Sequence, residues 1–447
     1  MPQFGAEKLS QWVSSPWKNG MPQVPITGIS HDTRTLKPGN LYVAIRGENF
    51  DGHRFLAQAF ERGAAGALVA ESGWTQNSVL QVPDTLQGLQ AMAHGYRKEW
   101  SGTVVGITGS VGKTMVKEMC AAVLSVRGKT HATTGNLNNH IGLPLTMLSM
   151  PQDALHGVFE VGINHPGEMA PLAAILQPQV AIITEIGAAH LGNFQSVEEI
   201  AREKSYLAQQ VPKAGKIILN KNSEWVGTLL WHTCAGVRYV ATEGVADYSA
   251  RIKGVGSLEV NGVDYKISLP GEHVMRNALQ AIALGLELGM SPAEVAEGLR
   301  RFKLPPMRWE QSEVRGIYFI NDAYNANPLS MQANLRTFAQ LPGDGEKWVV
   351  VGGMRELGNR AEAEHAQLGR LIDELGFDGV IAVGKLGELI ICKGSAPFFQ
   401  TLETASAAKI LKEHLQPGDR VLLKASRGEH LEEVLDFFKN EESSTNN

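Results

Sequence analysis

Lys113 and Thr114 close the run Thr108-Gly109-Ser110-Val111-Gly112-Lys113-Thr114, which gathers two glycines, a cation and hydroxyls into one short stretch. That combination suits phosphate. A glycine bend at a helix start aims backbone N–H groups and the positive end of the helix dipole at one point. A lysine there can neutralise β/γ oxygens, and a threonine hydroxyl can hold magnesium. The stricter pattern G-x-x-x-x-G-K-[ST] wants a glycine where Ile107 stands, so this is a shorter variant. A glycine turn carrying a surface lysine is the competing reading, and the flanks weigh against it. TVVGIT reads as a strand, and in TMVKEMCAAVLSVRG the pairs Met115/Val116, Met119/Cys120 and Val123/Leu124 recur at helical spacing before a stop at Gly128.

Other residues with chemistry stand at the ends of apolar runs. Glu160 closes GVFEVGI and His190 follows VAIITEIGAAH. Open α/β sheets bind ligands at such carboxyl ends, although an isolated acid there is often a solvated turn residue and an isolated histidine a structural one. Lys204 lies in the helical pattern SVEEIAREKSYL, Arg308 in the proline-rich LPPMRWE, and Asp322, Tyr324, Asn325 and Asn327 in NDAYNANP. Asn136, Asn138 and Asn139 crowd amides into GNLNN, which as turn formers would be unremarkable.

The elements that must position these groups alternate strand and helix, so the predicted fold class is α/β. At 447 residues the chain exceeds what one core supports, and three domains are expected. The runs NLYVAIRG, GALVAE and SVLQVPD predict a small α/β domain over residues 1–98. From 99 to 304, GVFEVGI, VAIITEI and KIILN alternate with helices as in a parallel sheet, followed by an antiparallel patch in ARIKGVGSLEVNGVDYKISL. Beyond a linker near Pro305, WVVVGG, GVIAVG and RVLLKAS predict a Rossmann-like domain over 305–447.

A net charge of -5 without a dense basic block argues against nucleic acid as the main partner. Hydrophobic content of 43% and charge of 19% suit a soluble enzyme. Cys120, Cys234 and Cys392 are far apart, which signals neither a disulfide framework nor zinc and fits a reducing cytosol. No export signal or membrane span is expected, and a cytoplasmic monomer is the working expectation.

The T-G-S-x-G-K-T shape resembles that of the Mur ligases and their folylpolyglutamate synthetase relatives. HDTRTLKPGNLYVAIRGENFDGHRF is similar to the uridine-nucleotide domain of that family, while TTGNLNNHIGLPLT and NDAYNANPLSM resemble its branch that adds D-alanyl-D-alanine. The resemblance implies ATP-driven amide formation: a carboxylate of a UDP-N-acetylmuramoyl tripeptide attacks the γ-phosphate, and the amine of D-alanyl-D-alanine displaces phosphate from the acyl phosphate. It implies a nucleotide site at Thr108 to Thr114, Asn277, Arg308 and Asp322, and two magnesium ions held by Thr114, Glu160, His190 and Lys204. Lys204 would act as a carbamate, and Lys113, Lys204, His190 and Arg308 would carry catalysis. Asp32, Thr33, Arg34, Asp51, Gly52 and His53 would take the UDP-sugar end, and Asn136, Asn138 and Asn139 peptide or phosphate oxygens. Tyr324, Asn325, Asn327, Lys424, Ser426 and Arg427 would face D-alanyl-D-alanine. The chain departs from the family pattern at Ser205-Tyr206 after Lys204, at Val274, at Gly353 and at Ala425. A folylpolyglutamate-type ligase and a non-catalytic nucleotide-binding relative are the other readings. Domain closure is implied, because water must be kept from the acyl phosphate.

Overall fold

The computed structural model describes residues 2–47, 50–75, 78–188 and 191–440. His190 lies outside the described residues. The architecture is the expected mixed α/β type, with strands gathered into three main sheets.

The middle sheet has nine strands, and Thr103–Thr108 lies inside it between His156–Glu160 and Val180–Ile183, parallel to both. The chain leaves Thr103–Thr108, adds Thr130–Ala132 and His156–Glu160 on one side, then crosses to Val180–Ile183 and Lys216–Asn220 on the other. The strand order therefore reverses at Thr103–Thr108, which opens a crevice beyond its carboxyl end. Every side chain from Val104 to Thr108 is buried, because helices cover both faces. Helix Lys113–Leu124 packs on one face against Glu272–Glu287 and Pro292–Arg301, with Val116, Met119, Cys120 and Val123 in the contact. Helix Val197–Gln209 covers the other face through Ile200, Ala201, Leu207 and Ala208. The predicted antiparallel patch forms the strands Tyr248–Gly254, Ser257–Val260 and Val263–Lys266 at one sheet edge.

The first sheet has five strands, with Gly66–Val69 parallel to both Leu41–Val43 and Val79–Gln81. The last has six. Its parallel part, Ile317–Asn321, Arg420–Lys424, Lys347–Gly352, Gly379–Val383 and Phe398–Thr401, carries Glu310–Val314 as an antiparallel edge. Asp322 and Ala425 follow directly from two neighbouring strands of this sheet, so NDAYNANP and KASR leave it side by side. Strand Gly236–Ala241 of the middle sheet and strand Phe398–Thr401 were not anticipated from the sequence pattern.

Candidate active site

Two glycines let the bend after Thr103–Thr108 form. Gly109 has φ +152° and Gly112 φ +88°, conformations that side chains rarely adopt. A Cβ on Gly109 would stand 1.9 Å from Thr184 Oγ1, which is itself fixed by donating to the Val111 carbonyl at 2.6 Å. A Cβ on Gly112 would stand 2.6 Å from Asn277 Oδ1, so Asn277 of helix Glu272–Glu287 lies directly over the bend. Gly109→Ala is expected to destabilise the protein by about 2 kcal/mol or more, since strain and overpacking act together. A denaturant midpoint equal to that of the parent would contradict this.

The bend is stitched to the next strand. Ser110 and Val111 donate their N–H groups to the Glu185 carbonyl at 2.8 and 3.3 Å, and Ser110 Oγ donates to the Gly187 carbonyl at 2.9 Å. These groups are engaged within the fold, which leaves Gly112, Lys113 and Thr114 at the helix start to address an anion. Thr108, expected at the nucleotide site, is fully buried, and its Oγ1 donates to the Val161 carbonyl at 2.9 Å.

Thr114 Oγ1 donates to Glu160 Oε2 at 2.8 Å, and both residues are buried. Asn138 Nδ2 donates to the other carboxylate oxygen at 2.8 Å, so this amide orients Glu160. Asn139 Oδ1 instead accepts from Gly142 N at 2.8 Å at the start of helix Gly142–Leu148, while Asn136 is exposed. Thr133, which sequence reasoning passed over, accepts from Glu160 N through its Oγ1 at 3.0 Å, and its carbonyl accepts from the buried Lys117 at 2.7 Å. Lys117 and Thr184 shared one signal, a polar residue at a place where the surrounding pattern is apolar, whereas Thr133 in HATTGN carried none.

Lys113 folds back over the bend, donating to the Gly109 carbonyl at 2.8 Å. Burial lowers its pKa, Glu160 opposes that change, and Arg308 lowers it further. Lys204 is 2% exposed, and among the described residues its Nζ has no hydrogen-bond partner. Burial holds its amine well below the usual lysine range and Lys113 adds to this, against the pull of Glu203 and Glu160. Thr114 and Glu160 thus offer neighbouring hard oxygen donors of the kind magnesium takes, and Lys113 and Lys204 act electrostatically on the same carboxylate.

Facing this cluster is the linker into the last sheet. Arg308 stands over the Tyr324 ring, 4.2 Å from its centroid. Asp322 is fully committed in this arrangement: Oδ1 accepts from Trp309 N at 2.8 Å, and Oδ2 takes the ammonium of Lys424 and the amide of Asn334. A ribose contact at Asp322 therefore requires one of these partners to yield. His273 is half-buried near that pair. Desolvation pushes its pKa down to about 4 even though Asp322 pulls the other way.

Several predicted substrate residues turn out to support the fold. Asn327 caps helix Pro328–Ala339, with Oδ1 accepting from Ser330 N at 2.9 Å. Ser426 is buried and accepts from Arg355 N at 3.0 Å, and Lys424 is buried against Asp322. In each of the three a polar atom is engaged within the fold. Asn325 and Arg427 remain exposed, although Arg427 pairs with Glu432.

In the first sheet's region the same division holds. His53 is buried, with Nε2 accepting from Ala70 N at 2.9 Å and Nδ1 against Asp51 Oδ1 at 2.7 Å, so the backbone donor sets its tautomer and leaves no free ring nitrogen. Gly52 donates to the Ile45 carbonyl at 2.8 Å and accepts from Tyr42 Oη at 2.9 Å. Thr33 is buried on Gln58 at 2.8 Å. His53, Gly52 and Thr33 are thus each tied into the fold by internal hydrogen bonds. Asp32, Arg34 and Asp51 keep accessible charge. Asp32 is held at about 2 by hydrogen bonds from Arg34; Asp51 reaches about 2 because hydrogen bonds from His53 and Arg46 outweigh the upward push of desolvation.

Comparison with known proteins finds relatives over most of the chain. Residues 25–97 match the Mur ligase family catalytic domain, 107–285 the Mur ligase middle domain, and 307–427 the Mur ligase glutamate ligase domain. The UDP-N-acetylmuramoyl-tripeptide--D-alanyl-D-alanine ligase of Bacillus subtilis is 37% identical over 431 residues, covering 92% of this chain and 93% of that protein. A crystal structure of MurF from Acinetobacter baumannii superposes with a TM-score of 0.92 at 30% identity, covering 99% of this chain and 100% of that one. MurF ligase from Thermotoga maritima in complex with ADP gives a TM-score of 0.84 at 27% identity over 93% of this chain and 97% of that one. With the glycine bend at the strand reversal, the paired hydroxyl and carboxylate beside it and three consecutive matched regions, the chain belongs to the Mur ligase family.

Proposed function

We propose that this protein is a cytoplasmic, monomeric ATP-dependent ligase that joins D-alanyl-D-alanine to a UDP-N-acetylmuramoyl tripeptide in peptidoglycan precursor synthesis. The observation that carries the reading is the convergence of Lys113, Thr114, Glu160 and Lys204 at the strand reversal, with Arg308 bearing electrostatically on Lys113 from the linker. The names of relatives covering more than nine-tenths of the chain supply the substrates.

ATP takes the bend, its phosphates against the N–H groups of Gly112, Lys113 and Thr114 and the Lys113 ammonium, with Asn277 beside the base. Thr114 and Glu160 would hold one magnesium ion, and Lys204 as a carbamate would hold a second, to which the family resemblance alone adds His190. Such ions would supply positive charge where carboxylate and triphosphate meet. The peptide carboxylate oxygen bonds to the γ-phosphorus as the bond to the ADP oxygen breaks, and Lys113 and Arg308 stabilise the charge on the transferring group. The amine nitrogen of D-alanyl-D-alanine then attacks the acyl carbon and loses a proton, and inorganic phosphate leaves. Asp32, Arg34 and Asp51 address the UDP-sugar end, while Asn325 and Arg427 flank the amine substrate.

The test is phosphate release from ATP, magnesium, UDP-N-acetylmuramoyl tripeptide and D-alanyl-D-alanine, with each component omitted in turn. Release is expected to require all four. Release indifferent to D-alanyl-D-alanine would overturn the assignment.

A further inference from the structure

The linker carrying Arg308 has an unusual backbone. Met307 and Trp309, on either side of it, take φ of +58° and +54°, a region bulky residues avoid unless their surroundings impose it. Three contacts impose it here. Met307 N donates to Glu310 Oε2 at 2.8 Å, Trp309 N donates to Asp322 Oδ1 at 2.8 Å, and Tyr324 N donates to the Met307 carbonyl at 3.2 Å. The Trp309 side chain is sunk into the core of the last sheet's domain. The turn is therefore clamped onto the loop at Asp322 and Tyr324.

Arg308 itself is treated differently. Among the described residues its guanidinium has neither a hydrogen bond nor an ion pair, and its like charge presses on Lys113. What holds it is the face of the Tyr324 ring, 4.2 Å away. A π face attracts a cation without occupying its N–H donors. The fork thus stays free for an oxyanion, which a carboxylate partner in the same place would have prevented.

We propose that Tyr324 is a positioning residue whose ring face presents Arg308 to the terminal phosphate of ATP, rather than a contact for the amine substrate. This rests on ATP binding at the 108–114 bend and deepens the proposed function. It predicts a selective effect. Loss of the ring face should weaken binding of a triphosphate, which has the terminal group, and spare a diphosphate, which lacks it.

The experiment is calorimetric titration of the full-length protein in magnesium buffer with ADP and with the β,γ-imido analogue of ATP. Parent, Tyr324→Phe, Tyr324→Leu, Arg308→Ala and Tyr324→Leu/Arg308→Ala proteins are compared. Tyr324→Leu is expected to weaken the analogue about tenfold, the scale of a partly desolvated cation–π contact, with ADP affinity nearly unchanged. Tyr324→Phe should keep most of the preference, and Tyr324→Leu should add nothing once Arg308 is alanine. Equal weakening of both nucleotides by Tyr324→Leu, an effect that persists in the Arg308→Ala background, or Tyr324→Phe matching Tyr324→Leu would each overturn the proposal. If the Leu variant does not fold, the Phe variant and Arg308→Ala still decide it: a Phe variant that loses the preference, or an Arg308→Ala that keeps it, counts against it. Failure of the ligase assignment would appear separately, as phosphate release that ignores D-alanyl-D-alanine.

Discussion

Lys113→Ala is expected to lower D-alanyl-D-alanine-dependent phosphate release by on the order of a thousandfold or more, the loss typical of removing a principal charge stabiliser from a transition state. The fold should tolerate the change. Removing the ammonium removes a like-charge neighbour of Lys204 and Arg308 along with the attraction to Glu160, so the variant should stay close to the parent in stability to denaturant. Loss of turnover with an intact melting transition is the informative pair. Appreciable turnover in the variant would mean that the triphosphate does not lie against this bend.

The second large effect concerns Lys204. Its amine is buried, has no hydrogen-bond partner among the described residues, and has its pKa lowered well below the usual lysine value by desolvation and by Lys113. A neutral amine is the form that takes up carbon dioxide. Lys204→Met should lower turnover by about a hundredfold or more, a loss on the scale of removing a ligand group from a catalytic metal site. Parent activity should fall in carbon dioxide-depleted buffer and recover with bicarbonate. Indifference to bicarbonate would exclude a carbamate as the working form.

Stability should move the other way. The folded pKa of Lys204 lies below its unfolded value, so the unfolded chain binds more protons between the two, and stability rises with pH across that window. The penalty is greatest below the folded value and vanishes near the ordinary lysine range. In carbon dioxide-free buffer Lys204→Met should therefore be more resistant to urea than the parent, by a margin that shrinks as pH is raised. A margin independent of pH would show that the amine is not desolvated as described.

The bend, its strand and its helix were legible because glycines, a strand-like run and helical spacing of apolar pairs are local signals. Strand Gly236–Ala241 was not, since Arg238 interrupts its apolar run. The charge is met at 2.5 Å by Glu287, on a helix far along the chain. The same limit governed the site. Glu160 could be placed at a strand end from the sequence, but nothing local disclosed that Asn138 and Thr133 orient it. Asp322 and Lys424 stand 102 positions apart and meet only because their strands are neighbours. Motif resemblance named Thr33, Gly52, His53, Asn327 and Ser426, but nothing local disclosed the internal hydrogen bonds that tie them into the fold.

The two amides of the bend that reach across to Glu185 have a thermodynamic consequence. Fixing a residue's backbone costs about 1–2 kcal/mol, and here that cost is met when the chain folds and not when nucleotide arrives. That half of the bend is fixed in advance. Nucleotide entry should then leave amide exchange at Ser110 and Val111 almost untouched.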